Sequence, residues 1–412
     1  MKRFLVISML VFSQGILTAA GATEPSHAAD FRALWVDCEG RNETLGSKAK
    51  IVEMLDEAKR IGCTDVIVQV YRGNRSWFDS KIADATPYRE IKAAEGIDCL
   101  RFLIDEAHTR DLKLHAWFNV FRITRNTDAP MLKKLGREIA IMDNHGRSVL
   151  DYTNFRIPKP AGLYYELSDE TLILDPGNLK VQAYQLAIIK EVLDKYPGLD
   201  GVHLDFVRYP SILPFPPGSR FSGIVDFGYN PSTIERFRNE TGLNPRTMPR
   251  TRDNCKKWDD FRRENVTGFV RAAAKLVEES GGSKQLSAAA VAFADRAYLS
   301  FFQDWRGWCE EGLVDFAVTM NYTDDRRLAR YHSREAATVA GKAPAYIGLQ
   351  AFIEPVEADA VLEQIADALE AGAKGLCLFS YDTIRLDCPE LLDGLAQRSG
   401  PGSGGTPWGG TP

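Results

Sequence analysis

The chain has little that would support metal, thiol or phosphate chemistry. Its seven cysteines, at positions 38, 63, 99, 255, 309, 377 and 388, are scattered and form no Cys-x-x-Cys pair. Its six histidines include no His-x-His, the strand-borne pair that would make a strong metal site. No Gly-x-Ser-x-Gly turn presents a serine nucleophile, and no glycine-rich loop follows an early strand to cradle phosphate. Neither sign of charge dominates: 51 Lys and Arg stand against 56 Asp and Glu, a formal net charge of -5. That balance argues against a general nucleic-acid surface. None of these patterns calls for a cofactor or a metal. The odd number of thiols leaves at least one unpaired in a monomer, and any disulfide pairing is not legible.

Long apolar runs are equally scarce. The one that stands out is Phe4 to Thr18, behind Lys2 and Arg3 and ahead of the small-x-small site Ala20-Gly21-Ala22. This reads as a secretory leader over residues 1–22 rather than a membrane anchor, because Ser8, Ser13, Gln14 and Gly15 dilute the run. No cysteine lies near the cleavage site to accept a lipid. The expectation is an exported protein, secreted or periplasmic, with no stable membrane insertion after leader removal. The last residues, 399–412, are a low-complexity Gly/Pro/Ser/Thr tail expected to be flexible.

Between these ends, 44% hydrophobic and 26% charged residues describe an ordinary globular chain. Strand and helix patterns alternate through it. Strand candidates are Phe31 to Cys38, Thr64 to Tyr71, Lys113 to Phe121, Gly201 onward, Leu286 to Phe293, Asp315 to Thr323, Ala345 to Phe352 and Gly375 to Thr383. Helical patterns separate them. Alternation of this kind predicts an α/β fold, a (β/α)8 TIM barrel over residues 30–398, with long loops after strands 2, 3 and 4. An open doubly wound sheet is the alternative. The three long connections are expected to wall one side of an elongated cleft at the C-terminal face of the barrel.

The stretch Gly201-Val202-His203-Leu204-Asp205-Phe206-Val207-Arg208-Tyr209-Pro210 organises the rest. Strand side chains alternate faces. Val202, Leu204 and Phe206 share an apolar face, while His203 and Asp205 share the other. A strand buried on both sides is normally apolar throughout, so two ionisable groups near its C-terminal end mark the mouth. The other strand ends add Asp37, Glu39, Gln69, Tyr71, Trp117, Asn119, Asp295, Asn321, Tyr322, Asp324, Gln350, Tyr381 and Asp382. Carboxylates, amides and aromatic rings together suit sugars, which have apolar faces and polar rims. Paired carboxylates supply the acid and the nucleophile or base of glycosidic hydrolysis. Asp37 and Glu39 are equally readable as partners of nearby arginines, and Trp35 as barrel filling. His203 with Asp205 leaves a metal-dependent hydrolase as a lesser alternative.

Several segments resemble one family. They are Phe31-Arg32-Ala33-Leu34-Trp35-Val36, Glu106 to Asn119, Leu174-Asp175-Pro176-Gly177-Asn178, Asp200 to Asp205 with Arg208-Tyr209-Pro210, and Met320-Asn321-Tyr322-Thr323. They resemble the bacterial glycosyl-hydrolase-like (β/α)8 barrels, secreted or lipid-anchored proteins whose best-understood relatives cleave peptide-free peptidoglycan glycan strands. Asn119-Val120-Phe121-Arg122 departs from the family's usual Pro after Asn, followed by Tyr-Arg. The resemblance implies a glycan-cleaving barrel with Asp205 as the leading carboxylate.

The reading that results is a glycoside hydrolase acting on a polysaccharide or peptidoglycan-type glycan. Asp205 is the nucleophile or base, with Asp324 first and Asp295 second as its acid. Arg208 and Tyr209 orient Asp205 or the substrate. Tyr71, Trp117, Asn119, His203, Asn321, Tyr322, Gln350 and Tyr381 contact sugar. A non-catalytic glycan-binding barrel is the competing reading.

Overall fold

The computed structural model describes residues 30–152, 166–167, 172–210, 212–213, 225–339, 341–352, 356–399 and 408. The expected leader lies outside these residues, as do Phe215 in the third long connection and most of the tail. Of the tail, Trp408 is described and is buried, its indole N–H donating to the Ile61 carbonyl at 2.6 Å.

Eight parallel strands close into a barrel. They are β1 (Phe31–Val36), β2 (Asp65–Arg72), β3 (Lys113–Asn119), β4 (Gly201–Asp205), β5 (Gln285–Val291), β6 (Phe316–Asn321), β7 (Ala345–Gln350) and β8 (Gly375–Phe379). Each pairs with its sequence neighbours, and β1 pairs with both β2 and β8, so the sheet has no open edge along the ring. The fold is the predicted (β/α)8 barrel. Closure removes the exposed backbone donors and acceptors that an open sheet would leave at its margins.

The two faces of each strand do different work. Outward residues such as Leu34, Val66, Val68, Leu114, Val202, Leu204, Leu349 and Leu378 are buried under the surrounding helices. Those helices begin where the sequence offers a cap. Ser47, Asp98, Asn178 and Asp325 each accept a backbone N–H from the first turn that follows. Among the described residues no helix is long and apolar enough to cross a membrane.

Inward residues form layers along the axis. At the bottom Phe31 stacks on Tyr346 at 4.5 Å, and Phe316 packs against both. Above them Trp35 fills the middle, as barrel packing, and its ring lies against Gly348 of β7. A Cβ at Gly348 would come within 2.7 Å of two Trp35 ring carbons and 3.0 Å of the Thr319 carbonyl. The backbone contact has nowhere to go, so Gly348→Ala should destabilise the barrel by ~1–3 kcal/mol, the scale of overpacking. Urea unfolding tests this, and an unchanged midpoint would contradict the tight packing.

The connections hold more helix than the sequence pattern suggested. Thr86–Glu95 lies in the connection after β2, and Pro231–Thr241 in that after β4. The eighth strand stops at Phe379, and Tyr381–Asp387 is a helix rather than a continuation of the strand. All seven cysteines are free thiols.

Candidate active site

Asp205 ends β4 with its side chain inside the barrel mouth, and is 5% exposed. Described groups hold it from more than one side. The Trp117 indole N–H donates to Oδ2 at 3.2 Å. The backbone N–H of Phe206 donates to Oδ1 at 2.6 Å, and Arg208 Nη1 lies 3.6 Å from the same oxygen. Phe206 adopts a left-handed φ of 51°, which ends the strand abruptly just after the carboxylate. Its ring then lies between two guanidinium groups, Arg208 at 4.3 Å and Arg122 at 4.4 Å. Arg208 is thereby fixed by stacking as well as by charge.

The second carboxylate at the mouth is Asp37, one residue beyond β1. Its pKa is pushed up to about 6. Burial is the main cause, followed by the charge of Asp382, with Asp205 adding to the rise; a Ser380 hydrogen bond and Arg72 work against it. Glu39 takes the arginines instead: Arg72 Nε lies 3.2 Å from it and Arg75 pairs with it closely. Asp382 accepts from the Asn42 backbone and the Thr44 hydroxyl, both at 3.1 Å, and burial raises its pKa as well. Asp37 thus holds a proton far longer than an exposed aspartate, within electrostatic reach of a carboxylate held by N–H donors and a guanidinium. That asymmetry is what acid–base cleavage requires.

Aromatic rings and amides complete the mouth. Tyr322 stacks on Phe379 at 5.7 Å, and Phe352 packs edge-on against both. Burial raises the Tyr322 pKa first, then Cys377, Asp205 and Asp37; Arg208 opposes them. The phenol therefore stays protonated and available as a donor near both carboxylates. Asn119 accepts from Gln69 Nε2 at 3.1 Å. Gln350 ends β7 in line with Phe379, and its buried Oε1 has no hydrogen-bond partner among the described residues.

His203 sits one layer below. Its Nε2 accepts from the Trp35 indole at 3.2 Å and its Nδ1 lies 2.9 Å from the Ser287 hydroxyl. Burial, then His115, pushes its pKa down to about 3. A neutral ring with both nitrogens engaged serves as a rigid floor and offers no lone pair to a metal, so it does not fit the metal-hydrolase alternative. It also lies beneath the layer where a sugar would touch.

The structure therefore brings Trp117, Asn119, Asp205, Arg208, Tyr322 and Gln350 together and sends other expected residues elsewhere. Asp324 and Asp295 are exposed. β6 ends at Asn321 and β5 at Val291, so strand alternation no longer governs either residue; Asp295 falls in the first turn of the helix Ala294–Ser300. Asn321 faces outward, its amide donating to the Ala329 carbonyl at 2.9 Å and the Ser333 hydroxyl at 3.2 Å. A register shift between Gln69 and Tyr71 turns Tyr71 into the helix layer, against Phe118 and Asn74. Tyr209 is buried against Phe302, with Asn265 donating to its hydroxyl. Tyr381 opens a helix and is buried in the outer core. Asp37, Phe352 and Phe379 are the additions. Asp37 shares the parity of Phe31, Ala33 and Trp35, and that was the available signal.

Residues 30–352 match the family described as Glycosyl hydrolase-like 10. Glycosyl hydrolase DigH of Escherichia coli K12 is 28% identical over 294 residues, covering 68% of this chain and 60% of that protein. Glycosyl hydrolase YngK of Bacillus subtilis is 25% identical over 346 residues, covering 78% of this chain and 59% of that protein. The chain thus spans about 60% of the length of these curated relatives. Among solved structures, the catalytic domain of beta-amylase from Paenibacillus polymyxa superposes with a TM-score of 0.54 at 11% identity, over 91% of this chain and 100% of that one. Beta-galactosidase from Bacillus circulans superposes with a TM-score of 0.55 at 11% identity, over 91% of this chain and 57% of that one. At such identity the likeness is one of fold. The family match takes in β1 through β7, with Asp37, Trp117, Asp205, Arg208, Tyr322 and Phe352, and on it the chain belongs to the glycosyl hydrolase-like 10 family.

Proposed function

We propose that this chain hydrolyses glycosidic bonds in a polysaccharide or peptidoglycan-type glycan, with Asp37 as the acid and Asp205 as its partner. One observation carries the reading: Asp37, pushed up to about 6, lies within electrostatic reach of Asp205 at the barrel mouth. Asp37 protonates the leaving glycosidic oxygen. Asp205 either attacks the anomeric carbon or takes a proton from the water that does. Trp117 and Arg208 keep its oxygens aimed. Tyr322, Phe379 and Phe352 offer ring faces to the sugar, and Gln350 and Asn119 supply hydrogen bonds at its rim. The catalytic unit is residues 30–398, exported after removal of residues 1–22.

Release of new reducing ends from a purified glycan strand tests the reading. The expected result is steady release by the metal-stripped protein, with proton NMR of the first product giving one anomer. A single anomer of retained configuration assigns Asp205 as nucleophile, and inversion assigns it as base. Tight glycan binding with no new reducing ends would replace the hydrolase by the glycan-binding reading.

A further inference from the structure

A chain of hydrogen bonds crosses the strand ends on the catalytic side of the barrel. The Cys38 thiol donates to Gln69 Oε1 at 3.1 Å, and Gln69 Nε2 donates to Asn119 Oδ1 at 3.1 Å. All three side chains are buried. Cys38 follows Asp37 directly, just past the end of β1. Gln69 lies on β2, and Asn119 is the last residue of β3. Asn119 stands opposite Asp205 in the register of β3 with β4. The chain thus starts beside one carboxylate of the mouth and ends beside the other.

The chain also has a direction. A carboxamide has a donor end and an acceptor end of nearly the same shape, so the groups at the two ends of the chain decide which way Gln69 and Asn119 point. Cys38 decides at the outer end. Burial first, then the Glu39 charge, pushes its pKa up, with Asp37 adding to the rise and Arg72 and Arg75 opposing it. The group is therefore a thiol with a proton to give, and its sulfur is only a weak acceptor. Gln69 turns its oxygen to that proton and its N–H to Asn119. Asn119 spends its oxygen on Gln69, and its N–H pair is the end left to meet a ligand at the mouth. The inner end agrees. An ionised Asp205 across the register only accepts hydrogen bonds, and an amide oxygen turned toward it would be repelled. Buried bonds that set one another in this way can be worth more than the same bonds taken singly.

We propose that Cys38 is a positioning residue that, through Gln69, holds Asn119 as a hydrogen-bond donor to one hydroxyl oxygen of the sugar seated over Asp205. The proposal rests on the hydrolase reading for the presence of that sugar. It adds the polarity of the contact and, with it, a source of specificity: a sugar that places an oxygen there is preferred to one that places a hydrogen. The thiol touches no substrate and takes no part in bond cleavage.

The test couples Cys38 to a single sugar hydroxyl. A short glycan strand is compared with forms that each lack one hydroxyl on the sugar at the cleavage point. One of these deoxy forms should lose about 10-fold in kcat/KM with the wild type, the scale of one good hydrogen bond. Cys38→Ser keeps a donor and should show the same loss. Cys38→Ala has none, so its rate on the parent strand should drop about 3-fold and its sensitivity to that hydroxyl should shrink to about 3-fold. Gln69→Leu removes the middle amide at similar volume and should shrink that sensitivity further, toward one. A purely structural thiol would lower the rate on every form alike. Cys38→Val, which fills the space of the thiol without a donor, replaces Cys38→Ala if the smaller side chain unfolds the protein. Equal sensitivity in the wild type, Cys38→Ala and Gln69→Leu would overturn the proposal, as would a Cys38→Ser variant that behaves like Cys38→Ala. A wild type indifferent to every hydroxyl would overturn it too. If no strand is cleaved, the hydrolase reading fails by itself. Equilibrium binding of the same strands to the same variants then decides: the same coupling in affinity supports the proposal, and its absence, or no binding at all, rejects it.

Discussion

Asp205→Asn should lower kcat on a cleaved glycan by at least ~10²-fold, the usual minimum for a positioned acid–base group, and by more if Asp205 forms the covalent intermediate. Asparagine keeps the size of the side chain. Its amide oxygen still accepts from the Trp117 indole, so the local hydrogen bonding survives in part. What is lost is the charge that Arg208 faces at 3.6 Å. The unfolding temperature should therefore change little while turnover collapses, with KM nearly unchanged. Wild-type turnover by a folded Asp205→Asn variant would remove Asp205 from the chemistry.

Asp37→Asn should give the second large effect, and one of a different kind. An acid whose pKa is pushed up to about 6 is half ionised near that pH, so wild-type kcat/KM should fall as pH rises through about 6. The variant cannot protonate the leaving oxygen. It should lose at least ~10²-fold on natural glycosides, lose that alkaline limb, and recover much of its rate on substrates whose leaving phenol needs no proton. Stability should move the other way. The folded protein keeps a proton on Asp37 that the unfolded chain releases, so this group lowers stability as pH rises from about 3.8 to about 6. Removing the charge should then stabilise the variant relative to wild type at neutral pH, on the order of 1–3 kcal/mol. Asp175, also pushed up to about 6 by burial, contributes the same slope in both proteins and cancels from the comparison. An unchanged pH profile in Asp37→Asn would assign the acid elsewhere.

The barrel was legible because strand alternation and helix caps are local signals. The inward placement of Asp205 was legible for the same reason: His203 and Asp205 break an otherwise apolar strand on one face. The errors lie where a local rule stops applying. Tyr71 has the parity of Gln69, but the register shift between them turns it outward, and a shift of that kind leaves no mark in the pattern. Tyr381, Asp324 and Asp295 were read as strand ends although the strands had already finished at Phe379, Asn321 and Val291. Asp37 was weighed as an arginine partner. Which of Asp37 and Glu39 takes Arg72 and Arg75 depends on tertiary placement, and Glu39, facing the solvent side, takes both. The desolvation that raises the Asp37 pKa arises only when β1, β4 and β8 converge.

The most direct test of the Asp37–Asp205 pair is a crystal structure of the Asp205→Asn variant holding an uncleaved glycan. The account predicts a glycosidic oxygen within hydrogen-bond reach of an Asp37 oxygen, about 2.6–3.2 Å. On the opposite side of the ring, the anomeric carbon should face the substituted side chain at position 205 either directly, at about 3–3.5 Å, or through one water. A glycan bound with no glycosidic oxygen near Asp37, or seated away from the barrel mouth, would contradict it.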